Sequence, residues 1–83
     1  MRNMSPSADE QAIEFFIKRA RITSETAARH CKDQEYQKGM DLYKQAYAFY
    51  LKAQKNRPDD ANLKEKIADI KEKYQHAKQQ INQ

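Results

Sequence analysis

The chain has 83 residues, of which 39% are hydrophobic and 34% charged, with one glycine and two prolines. At this size folding hides only about 60% of the surface that the unfolded chain exposes, which leaves little room to enclose a substrate. The scarcity of glycine and proline argues against a strand-and-turn fold, and a net charge of +4 allows no more than a mild preference for acidic partners.

Residues 1–7 read as an N-terminal tail, with Ser5, Pro6 and Ser7 opening the first helix. Ser7 can cap that helix, and Glu10 three residues later completes a capping box. Ala12, Ile13, Phe16, Ile17, Ala20, Ala27 and Cys31 then fall on one side at 100° per residue. This spacing predicts a helix over 8–31, about 36 Å long. Phe15 and Ile22 sit seven residues apart on the side facing away from that stripe, in line with Ala8. Two aligned large apolar groups suggest a second contact surface, for a partner motif or another copy of the domain.

The polar run Lys32-Asp33-Gln34-Glu35 interrupts the pattern, and Asp33 is the expected N-cap of a second helix over 35–55. No glycine stands here to end the first helix in the left-handed conformation. The second helix carries two apolar stripes about 110° apart around its axis. One consists of Tyr36, Met40, Tyr43, Tyr47 and Tyr50; the other of Leu42, Ala46, Phe49 and Ala53. Two apolar faces require two neighbours, so this is the central helix. Gly39 lies beside the first stripe, where close approach of another helix would explain it. The expectation adopted is that the tyrosines pack on the first helix and that Leu42, Ala46, Phe49 and Ala53 face the third.

Asn56-Arg57-Pro58-Asp59-Asp60 breaks the pattern again, with Pro58 suited to the first turn of a third helix over 59–81. There Leu63, Ile67, Ile70, Tyr74, Ala77 and Ile81 are spaced four, three, four, three, four, a narrow coiled-coil-like seam. Short connections make consecutive helices antiparallel. The expected fold is all-α: an up-down-up, spectrin-like three-helix bundle over 8–82.

No chemistry of catalysis is legible. His30 and Cys31 are adjacent in sequence, so on a helix they point about 100° apart and do not readily share a proton. Cys31 is the single cysteine, which removes any internal disulfide or multi-cysteine metal site. There is no glycine-rich phosphate loop and no metal-ligand spacing, so no catalytic residue, metal or cofactor is expected. Lys64, Glu65, Lys66, Asp69, Lys71, Glu72 and Lys73 alternate in sign, unlike a nucleic-acid-binding face. Apolar runs are too short to span a bilayer or to form a signal peptide, so the default is a cytoplasmic chain without direct membrane insertion.

The segment Glu35-Tyr36-Gln37-Lys38-Gly39-Met40-Asp41-Leu42-Tyr43-Lys44-Gln45-Ala46 resembles the central motif of MIT (microtubule-interacting and transport) domains. Tyr36, Gly39, Met40, Leu42, Tyr43 and Ala46 match in type and spacing, and Phe49, Tyr50 and Ala53 continue the match. Ala20 and Ala27, sixteen and nine residues before Tyr36, agree with two first-helix alanines of the family, and Tyr74 and Ala77 agree loosely with its third helix. The resemblance covers about residues 20–81. Residues 8–19 lengthen the first helix beyond the usual family pattern, and the third-helix register is ambiguous by one turn.

The resemblance implies an adaptor that binds short C-terminal motifs of ESCRT-III-type subunits, helical or extended, and recruits an attached domain to endosomal or other remodelling membranes. Its binding furrow would lie between helices two and three, at Leu42, Ala46, Phe49, Ala53, Ile70, Tyr74 and Ala77. Lys66 and Lys73 would pair with acids on the ligand. The domain would be monomeric in isolation, with a micromolar dissociation constant, about −8 kcal/mol. The initial Met and the helix-like end of the chain suggest the N-terminal part of a longer protein, such as an AAA ATPase. A different reading makes the third-helix seam an interface for self-association; a third, nucleic-acid binding, predicts a steep loss of affinity with salt.

Overall fold

The computed structural model describes residues 7–82. The expected tail, including Ser5 and Pro6, lies outside them except for Ser7. Three helices follow in chain order: α1 (Ala8–Lys32), α2 (Tyr36–Asn56) and α3 (Ala61–Ile81). The all-α three-helix bundle expected from the sequence is the observed architecture. Residues far apart in the chain establish the antiparallel course. Glu14 of α1 takes Arg57 just past α2 at 3.3 Å, Phe16 meets Phe49, and the α1 end at Cys31 lies against Gly39. On the other flank Tyr47 of α2 meets Lys71 of α3.

Each boundary has a local cause. Ser7 caps α1 as expected, its Oγ accepting from the Glu10 amide at 3.2 Å. The α1–α2 connection departs from the sequence reading. Asp33 closes α1 rather than capping α2, whose N-cap is Glu35 without a side-chain bond. Gln34 takes the left-handed conformation at φ 65°, the Gln34 amide donates to the Cys31 carbonyl at 3.0 Å, and the Glu35 amide donates to the His30 carbonyl at 2.8 Å. This is the Schellman arrangement, made with glutamine where glycine is usual. At the second connection, Asp60 caps α3 by accepting from the Leu63 amide at 3.1 Å. Pro58 therefore lies in the turn outside α3, which begins two residues later than the expected 59.

The core consists of Ile13, Ala20 and Ala27 of α1, Tyr43, Ala46, Tyr50 and Ala53 of α2, and Leu63, Ile67 and Ile70 of α3. Of the expected stripes, Ala12 and Ile81 are exposed, and Tyr36 and Met40 are half-buried outside the core. α2 packs on both neighbours, most closely on α1, whereas α1 and α3 barely touch. Small residues account for the closeness of α1 and α2. Ala20, Ala27, Ala46 and Ala53 are completely buried, and a Cβ on Gly39 would sit 3.1 Å from the Ala27 carbonyl oxygen and run into Cys31 Sγ. The additional N-terminal length of α1 is partly anchored, since Ile13 is buried and Phe16 stacks on Phe49.

Candidate functional site

The two stripes of α2 are oriented opposite to the expectation. Phe49 stacks on Phe16 of α1 with centroids 6.4 Å apart, and the Arg19 guanidinium of α1 stands 5.9 Å over the Phe49 ring. Ala46 and Ala53, on the same stripe, are sealed in the core, and Leu42 is half-buried. The stripe of Leu42, Ala46, Phe49 and Ala53 thus belongs to the α1 side and forms no furrow with α3. The tyrosine stripe does so instead. Side-chain size accounts for the choice: alanines and Gly39 fit the close α1–α2 approach, whereas the bulkier tyrosines stand on the α3 side.

Between α2 and α3 lies an open groove of ≈ 660 Å³, lined by Tyr43, Lys44, Tyr47, Ile70, Lys71, Glu72, Tyr74 and Gln75. Its walls are mainly aromatic and aliphatic. Ile70 and Tyr43 are buried and form the floor, while Tyr47 and Tyr74 are half-buried and form the sides. The Lys71 ammonium stands 5.8 Å from the Tyr47 ring centre, so the rim carries positive charge above an apolar wall. Lys44 adds a second cation on the α2 side.

Of the residues assigned to a furrow from the sequence, the structure brings Ile70 and Tyr74 to this groove. Ala77 is buried in the seam. Lys73 lies on the opposite flank of α3 from Lys71, about 200° away around the axis. Its Nζ is 3.0 Å from Asp69 Oδ2, and that hydrogen bond holds the ammonium above the usual lysine range. Lys66 is exposed beside Glu65, Asp69 and Glu72 in a separate, polar hollow. Acids therefore stand beside both lysines expected to meet a ligand, and the charged residues of the groove are Lys44, Lys71 and Glu72. Sequence reasoning missed Tyr43, Lys44, Tyr47, Lys71, Glu72 and Gln75. The available signal was bulk, since the smaller residues of α2 cluster on one stripe and the tyrosines on the other.

Tyr43 and Tyr50 form the wall shared by all three helices. Burial pushes both phenols above the usual tyrosine range; Cys31 and Asp69 act in the same direction on Tyr43, and Lys73 opposes them. Burial likewise raises the Cys31 thiol. His30 Nδ1 lies 2.8 Å from Glu35 Oε1 across the Schellman turn, and hydrogen bonds from His30 and then Lys38 hold the Glu35 carboxyl below the usual range. His30 is thus engaged at the helix corner, whereas Cys31 points towards Gly39. Among the described residues no group of three or more His, Cys, Asp or Glu side chains is placed to hold a metal ion, and no helix is long and apolar enough to cross a membrane. Phe15 and Ile22 are exposed on α1, at 57% and 37%.

No protein-family model, curated protein or solved structure matches this chain.

Proposed function

We propose that this chain is a non-catalytic, MIT-type adaptor that holds a short amphipathic helix, from the tail of an ESCRT-III-type subunit, in the α2/α3 groove. Through that contact it would recruit an attached domain to endosomal or other remodelling membranes. The observation that carries the reading is the groove itself, an open apolar channel between two antiparallel helices, with Lys44 and Lys71 outnumbering Glu72 on its rim. A helix-in-groove ligand needs an apolar floor for its anchors and complementary charge at the edge. Tyr43, Tyr47, Ile70 and Tyr74 provide the first, and the two lysines suit acidic residues on the ligand. Exposed lysines of this kind contribute at most about 1 kcal/mol each, so affinity rests mainly on the aromatic walls.

The family resemblance enters through the residues quoted from α1 and α2, and in this reading Ala46 and Ala53 pack the bundle instead of lining the furrow. Gly39, Ala46 and Ala53 lie where α1 and α2 approach, while Tyr43 floors the groove beneath Tyr47, which lies outside the quoted match and would meet the ligand. The competing reading, self-association through the α3 seam, has less support, because Leu63, Ile67 and Ala77 are already buried within the chain, which leaves Tyr74 and Ile81 as its accessible members.

Titration of the isotope-labelled chain with a helical ESCRT-III tail peptide tests the proposal by NMR. Expected are micromolar binding and shifts centred on Tyr43, Tyr47, Ile70 and Tyr74. Tyr47→Ala combined with Tyr74→Ala should weaken binding by tenfold or more while leaving helicity intact. Absence of shifts with every tail tried would sink the adaptor reading. Shifts confined to α1 and α3 would move the site to an extended ligand.

A further inference from the structure

The outward face formed by α1 and α2, away from the groove, carries a chain of three phenylalanine rings. Phe15 meets Phe16 edge-on with centroids 5.7 Å apart, and Phe16 stacks on Phe49. Only the outermost ring lacks a cover: Phe15 is 57% exposed, with Ile22 one heptad further along the same line of α1. Cations border this face. Lys18 and Arg19 occupy the turn between Phe15 and Ile22, Arg29 continues the line, and Lys52 of α2 stands 5.4 Å over the Phe16 ring. By helical spacing Glu25 is the acid nearest this line, and Glu14 is engaged with Arg57.

We infer that this face adsorbs to an anionic lipid bilayer, with Phe15 and Ile22 entering the headgroup region and Lys18, Arg19 and Lys52 meeting the lipid charges. Contact with a second copy is disfavoured on charge. A two-fold contact would set the basic patch of Lys18, Arg19 and Lys52 against the same patch of the other chain. A peptide is disfavoured on shape, since peptide ligands enter concave sites, whereas Phe15 projects from its face and the apolar groove lies on the other side of α2. A protruding apolar ring bordered by lysine and arginine is the arrangement of a peripheral interfacial contact, in which nothing spans the membrane. The basic excess of the chain, 16 cationic against 12 acidic side chains, acts in the same direction.

The inference stands apart from the groove reading, and flotation of the full chain with lipid vesicles tests it. Phosphatidylcholine vesicles containing about one third phosphatidylserine should retain the protein at low salt, and pure phosphatidylcholine should not. Phe15→Ser with Ile22→Ser should reduce retention at least about tenfold. Arg19→Gln with Lys52→Gln should reduce it about thirtyfold. Circular dichroism should show unchanged helicity for both variants, since Phe15 and Ile22 lie outside the core. Tyr47→Ala combined with Tyr74→Ala should weaken peptide binding and keep vesicle binding, which separates the two surfaces. Failure of the wild-type chain to float with anionic vesicles overturns the inference, as does equal retention on neutral ones. Concentration-dependent dimerisation abolished by Phe15→Ser would also overturn it, by assigning the face to a second copy.

Discussion

Gly39 shows how much a single position decides. In a helix interior glycine costs about 1 kcal/mol relative to alanine, so propensity alone predicts that Gly39→Ala is stabilising. The structure reverses the sign. An added methyl would run into Cys31 Sγ and sit 3.1 Å from the Ala27 carbonyl oxygen, forcing α1 and α2 apart where Ala20, Ala27, Ala46 and Ala53 are fully buried. Overpacking of this kind costs about 1–3 kcal/mol. Gly39→Ala should therefore lower the melting temperature, measured by circular dichroism. Adding Cys31→Ala should restore part of the loss, as expected of neighbours that share one space. A neutral or stabilising Gly39→Ala would show that the helices yield more easily than their packing implies.

At the scale of elements, the turn between α1 and α2 is strained and the turn between α2 and α3 is well capped. Asp60 bonds the Leu63 amide at the start of α3, whereas Glu35 offers α2 no side-chain cap. Gln34 holds a left-handed φ of 65° that costs a side-chain-bearing residue about 1–2 kcal/mol. The two amide bonds of the Schellman motif, together with the His30–Glu35–Lys38 cluster, hold the turn in place. Gln34→Gly keeps those bonds and removes the strain, against a greater loss of chain entropy on folding. The net expectation is a gain of about 0.5–1 kcal/mol, read as a melting temperature several degrees higher. The missing glycine was visible in the sequence. That glutamine would nevertheless take the left-handed position was not, because the choice depends on which carbonyls the tertiary turn leaves to be bonded.

For the molecule as a whole, the tyrosine wall between α1 and α3 makes stability sensitive to alkali. Burial raises the phenols of Tyr43 and Tyr50, and the Asp69 hydrogen bond raises the Lys73 ammonium. In each case the folded chain holds its proton more tightly than the unfolded one. The associated stability is fully present below the unfolded values, about 10 for tyrosine and 10.4 for lysine, and is lost as pH rises through the higher folded values. Melting temperature should thus change little on this account near neutrality and fall above pH ~10, in step with the ultraviolet absorbance of tyrosinate. Tyr43→Phe with Tyr50→Phe should move that alkaline transition to higher pH; an unshifted transition would mean that other groups control it.

The sequence by itself determined three helices, their approximate limits, their antiparallel course and the central place of α2, because these depend on local periodicity, caps and short connections. It also placed Phe15 and Ile22 on an outer face, since their spacing sets them opposite the apolar stripe of α1. Periodicity could not say which stripe of α2 would meet which neighbour: two faces about 110° apart are compatible with either exchange of partners. Only the tertiary structure decided that. The glycine and alanines of α2 admit the backbone of α1, while the tyrosines face α3 and border the open groove at Tyr47 and Tyr74. The physical reason is that side-chain volume, which acts only when two helices meet, governs their separation and hence where a cleft remains.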